Sequence, residues 1–345
     1  MTSLPLFLNY PSWIKPEIFP GIPGLSMLRW YGLMYIFAFG TAFFVLRKQR
    51  KEGALDSKNY KATDDDLFSF IFTGIVFLLI GARVFSTLVY SSYDPSDPAS
   101  VDYLHKPWLI FWPFDAEGHF TGLAGMSYHG GFIGGLIGMI VWCLRKKKPL
   151  WKWIDAMCVA IPLGYTFGRL GNFLNGELYG RVTSMPWGVL FPDAKVLDYH
   201  NDWVQEMTDL CGVMVKAGER FVNLPRHPSQ LYEALFEGLF VWGVLWLLRK
   251  KKPFDGFLGA LYTILYGLVR FIIEYFRNPD SGDNLGYRIG PDSHNSAAEL
   301  YRNSSLLNIS TGQILCFGMI AGGIILMVVL WRLDKKRKAE EANLK

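Results

Sequence analysis

The chain has 345 residues, of which 51% are hydrophobic, 16% are aromatic and only 19% are charged. A soluble protein of this size carries more charge and fewer large aromatic residues, so the composition excludes an ordinary soluble enzyme and favours one helical membrane domain. The formal net charge of +5 does not indicate nucleic-acid binding, because the basic residues are clustered at positions that a membrane topology explains.

The N-terminal residues 1–25 mix aromatic residues with prolines and have no basic region before an apolar run. They do not resemble a cleavable signal peptide and predict an arm lying in the membrane interface. Seven later stretches are long and apolar enough to cross about 30 Å of hydrocarbon as helices. They are residues 26–46, 67–90, 127–144, 152–171, 229–248, 256–276 and 311–331. The predicted fold is an all-α polytopic membrane protein whose seven-helix domain covers residues 26–334, followed by a charged cytoplasmic tail, 335–345.

Basic clusters follow the first, third, fifth and seventh predicted spans. They are Arg47–Lys51, Arg145–Lys148, Arg249–Lys252 and Arg332–Lys338. With seven spans all four clusters fall on one side, and the positive-inside rule then predicts an outside N-terminus and a cytoplasmic C-terminus. The opposite side carries long connections at about 91–126, 172–228 and 277–310, which predict ordered turns or a small extracytoplasmic cap.

The four cysteines are far apart and form no CxxC pair, which favours structural roles over metal or redox chemistry. They are Cys143, Cys158, Cys211 and Cys316.

Charged side chains inside apolar spans are costly to bury and therefore indicate a functional site. Arg83 lies in the outer half of the second span, where a phosphate contact and an ion pair with a carboxylate are equally compatible with the sequence. His129 opens the third span between glycines that leave room beside it. A neutral imidazole there can accept a proton, or it can serve only as a hydrogen-bonding residue.

The fourth span ends in a glycine-dense segment, Gly168–Arg181, that packing alone explains poorly. Arg169 and Asn172 are three residues apart and can face the same site, and Glu177 follows at headgroup depth. Glycines in this segment allow close approach of a ligand or a sharp turn.

The fifth and sixth spans add further ionisable groups. Glu233 and Glu237 lie one helical turn apart, and we expect them to pair with an arginine. In the sixth span, residues at successive intervals of four stack on one helix face: Tyr262, Tyr266, Arg270 and Glu274. Glu274 can pair with Arg270 there, so this face is either a structural ion pair or an anion site, and a guanidinium suits phosphate.

The charged groups fall near one face of the bilayer, where Tyr31 also begins the first span. Such a cationic pocket at the outer leaflet matches a phospholipid headgroup, whose acyl chains already lie in the membrane. Interfacial aromatic residues such as Tyr31 are also typical membrane anchors.

Taken together, these segments resemble bacterial phosphatidylglycerol–prolipoprotein diacylglyceryl transferases. The pieces occur in order and cover the whole membrane domain. They are Trp30–Tyr35, Gly125–Gly131, Gly168–Arg181, Arg226–Glu233, Tyr266–Gly267, Arg270, Glu274 and Phe276–Asp280.

The resemblance implies transfer of the diacylglyceryl group of phosphatidylglycerol to the lipobox cysteine of a prolipoprotein, forming a thioether and releasing glycerol phosphate. It implies no cofactor or metal, and a place in the bacterial inner membrane with the active site toward the outer leaflet. The catalytic candidates are His129, Arg169, Glu177, Arg270 and Glu274. The substrate-binding candidates are Tyr31, Arg83, Asn172, Gly180, Tyr266 and Arg277. His129 is the first candidate base, with Glu177 or Glu274 as alternatives.

Two other functions share parts of this pattern. A lipid transporter or flippase would also carry intramembrane charges, but its sites usually lie near the midplane between repeats, and the sequence has no evident internal repeat. A phospholipid headgroup hydrolase would share the phosphate pocket and use water as the nucleophile.

The loops at 91–119 and 280–308 are longer than the family needs and could gate lipid or peptide access.

Overall fold

A computed structural model describes residues 7–22, 28–90, 102–114, 119, 125–278, 287–291, 293 and 301–343. Parts of the predicted arm and of the long connections at 91–126 and 277–310 therefore lie outside the described residues. The chain divides into two compact units, one formed by Met1–Val45 with Asp155–Lys345 and the other by Leu46–Ile154. We call them the large unit and the small unit.

The described chain is mostly helical. Its α-helices are α1 (Trp30–Lys51), α2 (Asp64–Phe85), α3 (Tyr128–Arg145), α4 (Leu150–Leu174), α5 (Asp202–Cys211), α6 (Ser229–Tyr232), α7 (Val241–Leu248), α8 (Phe257–Ile273) and α9 (Thr311–Asn343). A π-helix, Ser86–Tyr90, extends α2, a second, Glu233–Phe240, joins α6 to α7, and Pro107–Phe111 forms a 3-10 turn. A helix thus occupies each of the seven apolar stretches.

Four helical segments among the described residues are long and apolar enough to cross a membrane. They are Trp30–Lys51, Asp64–Val89, Ser229–Leu248 and Thr311–Asn343. Two apolar helices, His129–Arg145 and Phe257–Ile273, are shorter. The protein is therefore an all-α membrane protein by its helix content and by these spans.

In the small unit, α2 and α3 pack closely through glycines spaced four apart. A Cβ atom on Gly130 or Gly134 would overlap the backbone of α2 near Gly81, and one on Gly138 would lie 2.6 Å from the Cβ atom of Phe77. Such small residues let two membrane helices approach closely. The glycine after His129 is therefore required for helix packing, whereas the sequence suggested that it leaves open space.

Basic and acidic residues meet at one end of the small unit. Arg50 lies 3.0 Å from Asp64 at the start of α2, and Lys148, which follows α3, lies 3.4 Å from Asp66. The basic clusters at the end of α1 and after α3 therefore share one end of this unit.

In the large unit, the start of α8 is fixed by the buried carboxylate of Asp155 on α4. This carboxylate accepts hydrogen bonds from the backbone N–H groups of Gly256 and Gly259 and lies 2.9 Å from Lys252. It satisfies amide groups that a helix N-terminus otherwise leaves without partners.

The large unit also contains three short two-stranded sheets. The strands are β1 (Leu8–Asn9), β2 (Val189–Leu190), β3 (Leu197–Asp198), β4 (Phe221–Val222), β5 (Tyr287–Ile289) and β6 (Ile309–Ser310). β1 pairs in parallel with β2, whereas β3 with β4 and β5 with β6 are antiparallel. In the chain, α5 lies between the end of α4 and the start of α6. It packs onto β3 and β4 around an apolar cluster that includes Leu197, Val204 and Leu224. Residues 186–225, within the connection predicted at about 172–228, thus form a small folded subdomain.

Candidate functional site

The arginines of α4 and α8 meet on a single buried carboxylate. Oε2 of Glu233 lies 3.0 Å from Nε of Arg169 and 3.2 Å from Nη1 of Arg270. Glu233 is fully buried, so its negative charge is shielded from water and acts strongly on both guanidinium groups. The two arginines are thereby held on either side of one oxygen atom, although 101 positions separate them in the chain.

Three further groups complete this network. Glu237 is also fully buried and lies 3.4 Å from Nη1 of Arg270, while Glu274 lies 3.1 Å from Nη2. The hydroxyl of Tyr165 donates to Glu237 at 2.5 Å and accepts from Nε of Arg169 at 2.7 Å. The predicted pairing of Glu233 and Glu237 with an arginine, and that of Glu274 with Arg270, are confirmed.

A π-helix positions the two buried glutamates. Glu233 opens the π-helical segment and Glu237 follows within it, and π-helical turns are frequent at functional sites. The segment lies close to α4 because Gly238 has no side chain: a Cβ atom there would overlap the hydroxyl of Thr166, which donates to the carbonyl oxygen of Ala234.

A chain of hydrogen bonds leads from Arg169 to an exposed carboxylate. Nη1 of Arg169 donates to Oδ1 of Asn172 at 3.3 Å, and Nδ2 of Asn172 donates to Oε1 of Glu177 at 3.0 Å. The backbone carbonyl of Glu177 accepts a 2.7 Å bond from the buried Gln230. Gly176 turns the chain between Asn172 and Glu177. Its φ of 69° lies in the left-handed region that favours glycine. The structure therefore brings Arg169 and Asn172 together as their spacing predicted, and it adds Glu177 to them.

Gly180 and Arg277 lie where three loops cross. The N–H of Gly180 donates to the carbonyl of His227, and a Cβ atom on Gly180 would overlap the carbonyl oxygen of Phe276. Arg277 pairs with Gly180 in a β-bridge, and its Nε lies 3.8 Å from Oε1 of Glu233. These contacts connect the loop after α4 to the segments before α6 and after α8.

His227 is part of the same crossing and lies before the first residue of α6. Its ring packs on Phe276 with centroids 5.2 Å apart, and its Nδ1 lies 3.2 Å from the hydroxyl of Tyr232. Burial, together with the nearby positive charge of Arg181, lowers the pKa of His227 to about 4. The imidazole is therefore neutral near pH 7.

Tyrosine rings line the α1 and α8 sides of the network. The hydroxyl of Tyr31 lies 3.1 Å from that of Tyr35, and its ring lies against Gly171 of α4. The ring of Tyr266 meets Tyr165 edge to face, with centroids 6.2 Å apart. Both candidates thus lie beside residues of α4, and Tyr266 supports the tyrosine that binds Arg169.

Two candidates belong to the small unit. Arg83 is buried, and its Nε donates to the backbone carbonyl of Ile110 at 2.5 Å. His129 is exposed in the first turn of α3, where Ser127 caps the helix by accepting a bond from the N–H of Gly130.

One central residue of the network, Tyr165, is not among the residues predicted from the sequence. It precedes Arg169 by four positions on the same helix, a spacing that places the two side chains on one face and could have indicated it. The bridging position of Glu233 had no such local signal, because its partners come from two other helices.

The fold and the site define a helical membrane protein with a buried arginine–glutamate network at the end of its helices. A family model described as prolipoprotein diacylglyceryl transferase matches residues 18–329. The chain is 50% identical to the phosphatidylglycerol–prolipoprotein diacylglyceryl transferase of Treponema denticola over 98% of this chain and 99% of that protein. Identity to the same-named proteins of Treponema pallidum and Chlorobaculum tepidum is 46% and 38%, each over 97% of this chain and over 99% and 94% of those proteins. The chain belongs to the prolipoprotein diacylglyceryl transferase family.

Proposed function

We propose that this protein transfers the diacylglyceryl group of phosphatidylglycerol to the lipobox cysteine of a prolipoprotein, forming a thioether and releasing glycerol phosphate. Family membership and the names of relatives that match along nearly their whole length support the proposal. The structural observation that carries it is the pair of arginines on a common carboxylate oxygen.

In this proposal Arg169 and Arg270 bind the phosphate of the lipid. Both donor nitrogens contact the same oxygen of Glu233, so the distance between them cannot exceed the sum of two hydrogen-bond lengths. One phosphate group can therefore reach both guanidinium groups. Their side chains are 15% and 14% exposed, whereas those of Glu233 and Glu237 are fully buried, so the arginines lie between the acids and the accessible surface.

The arginines would favour the chemical step by stabilising the leaving group. The substrate sulfur attacks the terminal glyceryl carbon as the bond from that carbon to the phosphate oxygen breaks. Negative charge grows on the departing glycerol phosphate, and donors already fixed in position stabilise it without reorganisation. Glu233, Glu237 and Glu274 hold the guanidinium planes in place.

The cysteine thiol must lose its proton to attack well. We propose His129, which is exposed at the start of α3, as the base. Glu177 is the alternative: it is exposed, whereas Glu274 is buried and engaged with Arg270 and Ser310. In this proposal Asn172 connects Glu177 to the phosphate site, and Tyr31, Gly180, Tyr266 and Arg277 shape the lipid site around it. Arg83, in the small unit, keeps the substrate-binding role that the family resemblance implies.

We propose further that seven helices cross the bacterial inner membrane, with the N-terminus outside and the site toward the outer leaflet. Support comes from a helix in each of the seven apolar stretches and from basic clusters at the ends of α1, α3 and α7 and in the C-terminal half of α9. Cysteine labelling by a membrane-impermeant reagent, with single cysteines placed at Lys216 and Lys338, tests this topology. Labelling of position 338 in intact spheroplasts would contradict it.

The decisive experiment is transfer from phosphatidylglycerol to a lipobox peptide by the purified protein, compared with Arg270→Ala. Loss of a preorganised donor to developing charge typically lowers turnover by about 10²–10³-fold, and we expect a loss of at least that size. Arg220→Ala is the matched control, because Arg220 is largely exposed and pairs with Asp198 in the subdomain. Near-normal thioether formation by Arg270→Ala would contradict the phosphate-binding role.

The same assay separates the alternatives. Release of glycerol phosphate without the peptide would indicate a hydrolase, and movement of labelled lipid with no chemical product would indicate a transporter. Thioether formation that requires the peptide cysteine is the result we expect.

A further inference from the structure

A cavity of about 510 Å³ lies in the large unit, apart from the arginine–glutamate network. Its lining comes from the N-terminal arm, the turn after α4 and the subdomain. The lining includes Asn9, Tyr10, Lys15, Asn175 and Asn223. The proposed phosphate chemistry uses none of them.

Two amide oxygens at this cavity are buried and have no hydrogen-bond partner within the described residues, namely Oδ1 of Asn175 and Oδ1 of Asn223. Their orientations are fixed, because Nδ2 of Asn223 donates to the carbonyl of Phe191 at 2.7 Å and Nδ2 of Asn175 donates to Glu177 at 3.4 Å. Rotating either amide would face two acceptors toward each other. Both residues line the cavity, and because a buried acceptor without a partner is costly, N–H donors that reach these two oxygens would be favoured.

The N-terminal arm adds a strand edge to the same cavity. The N–H groups of Leu8 and Tyr10 donate to the carbonyls of Gly188 and Leu190 in the β2 segment. Because peptide groups alternate along a strand, those of Asn9 face away from β2. In the described part of the chain, β1 pairs with β2 alone, and the second edge of such a strand can pair with an extended peptide.

The cavity is connected to the proposed site through the end of α4. The hydroxyl of Tyr10 donates to the carbonyls of Phe173 and Leu174, at 2.9 and 3.1 Å, and so fixes the arm to this helix end. Asn175 lines the cavity and also donates to Glu177, which Asn172 links to Arg169. A chain seated in the cavity would therefore approach the carboxylate end of that hydrogen-bond path.

We propose that this cavity binds the acceptor polypeptide, as an extended segment next to its reactive cysteine. The peptide N–H groups of that segment pair with the amide oxygens of Asn175 and Asn223, and its backbone pairs with the second edge of β1. This inference rests on the proposed function, since it assigns the polypeptide substrate of the same reaction.

Site-specific photo-crosslinking in the full chain, reconstituted with phosphatidylglycerol, tests the proposal. p-Benzoylphenylalanine replaces Lys15, which is exposed at the cavity, and as a matched control replaces Lys216, which lines a different cavity of about 410 Å³ in the same unit. A biotinylated lipobox peptide should be captured at position 15, should be displaced by unlabelled peptide, and should not be captured at position 216.

Kinetics give a second measurement. Asn223→Ala removes one acceptor, and we expect KM for the peptide to rise about tenfold, the equivalent of one hydrogen bond. KM for phosphatidylglycerol and kcat should stay unchanged. If the variant fails to fold, the crosslinking experiment alone decides.

The outcomes separate the two proposals. Normal transfer without capture at position 15, equal capture at both positions, or capture of labelled phosphatidylglycerol in place of peptide would overturn the peptide site and leave the proposed function intact. Specific peptide capture by a protein that makes no thioether would keep the peptide site and overturn the proposed function.

Discussion

Replacing Glu233 by glutamine tests whether the carboxylate that contacts both Arg169 and Arg270 is required to hold the two arginines together. Glutamine keeps the size of the side chain and one acceptor oxygen but removes the charge. Oε2 of Glu233 is within 3.2 Å of Arg169, Arg270 and the Tyr165 hydroxyl. The substitution therefore weakens three interactions at once around a fully buried carboxylate.

Removing one partner of a buried ion pair typically costs about 3–5 kcal/mol. Arg270 keeps Glu237 and Glu274, so we expect the lower end of that range, about 3 kcal/mol. If two thirds of this cost falls on the transition state, kcat/KM drops by roughly thirtyfold, at 1.36 kcal/mol for each factor of ten. The thermal midpoint in detergent should fall as well.

Glu237→Gln is the matched control. Glu237 is equally buried, and its ion pair in the described structure is with Arg270. We expect a smaller loss of kcat/KM than for Glu233→Gln. The assay is transfer to a lipobox peptide at varied phosphatidylglycerol, with thermal unfolding measured on the same samples. Wild-type values for Glu233→Gln, or an equal loss for both variants, would refute a special bridging role for Glu233.

Three further predictions concern other parts of the molecule. His129→Gln should lower kcat, and full activity with an unchanged pH–rate profile would exclude the base role. Gly180→Ala should lower the thermal midpoint and abolish transfer, because its Cβ atom would overlap the carbonyl of Phe276, whereas a variant that folds normally would show that the loops can separate. The pKa of His227 is lowered to about 4 in the folded protein. As the pH falls, its imidazole is therefore protonated in the unfolded chain before it is protonated in the folded protein. Its contribution to stability is present above pH 6.5 and is lost as the pH falls toward 4, and His227→Gln should flatten that part of a stability–pH curve.

Local patterns determine much of this fold and are visible in the sequence. Every apolar stretch of sufficient length contains a helix, because a hydrophobic segment in a membrane must satisfy its backbone groups internally. The Arg270–Glu274 pair also follows from a spacing of four residues. The observed helix ends differ from the predicted ones by several residues. For example, α1 continues to Lys51, because charged residues can extend a helix beyond the apolar core.

Contacts between distant segments were less predictable. Nothing near Gly180 in the sequence indicates that Phe276 and His227 cross over it. The π-helix that begins at Glu233 has no periodic signal, since one extra residue per turn is compatible with the same apolar composition. The sequence therefore indicated which residues carry charge. The tertiary fold determined which arginines contact the same carboxylate oxygen.

The arrangement of these charges differs from the cationic pocket that the sequence suggested. Arg169 and Arg270 are paired with acidic residues, and a buried guanidinium without such partners would be far too costly within a membrane. Full burial of Glu233 keeps this compensating charge behind the arginines, while the guanidinium groups keep some exposure. Each guanidinium has five N–H donors, so pairing one edge with a carboxylate leaves others for an incoming anion. The glutamates thus offset the cost of burying the arginines in the absence of lipid and, in the proposed mechanism, fix the direction from which phosphate binds.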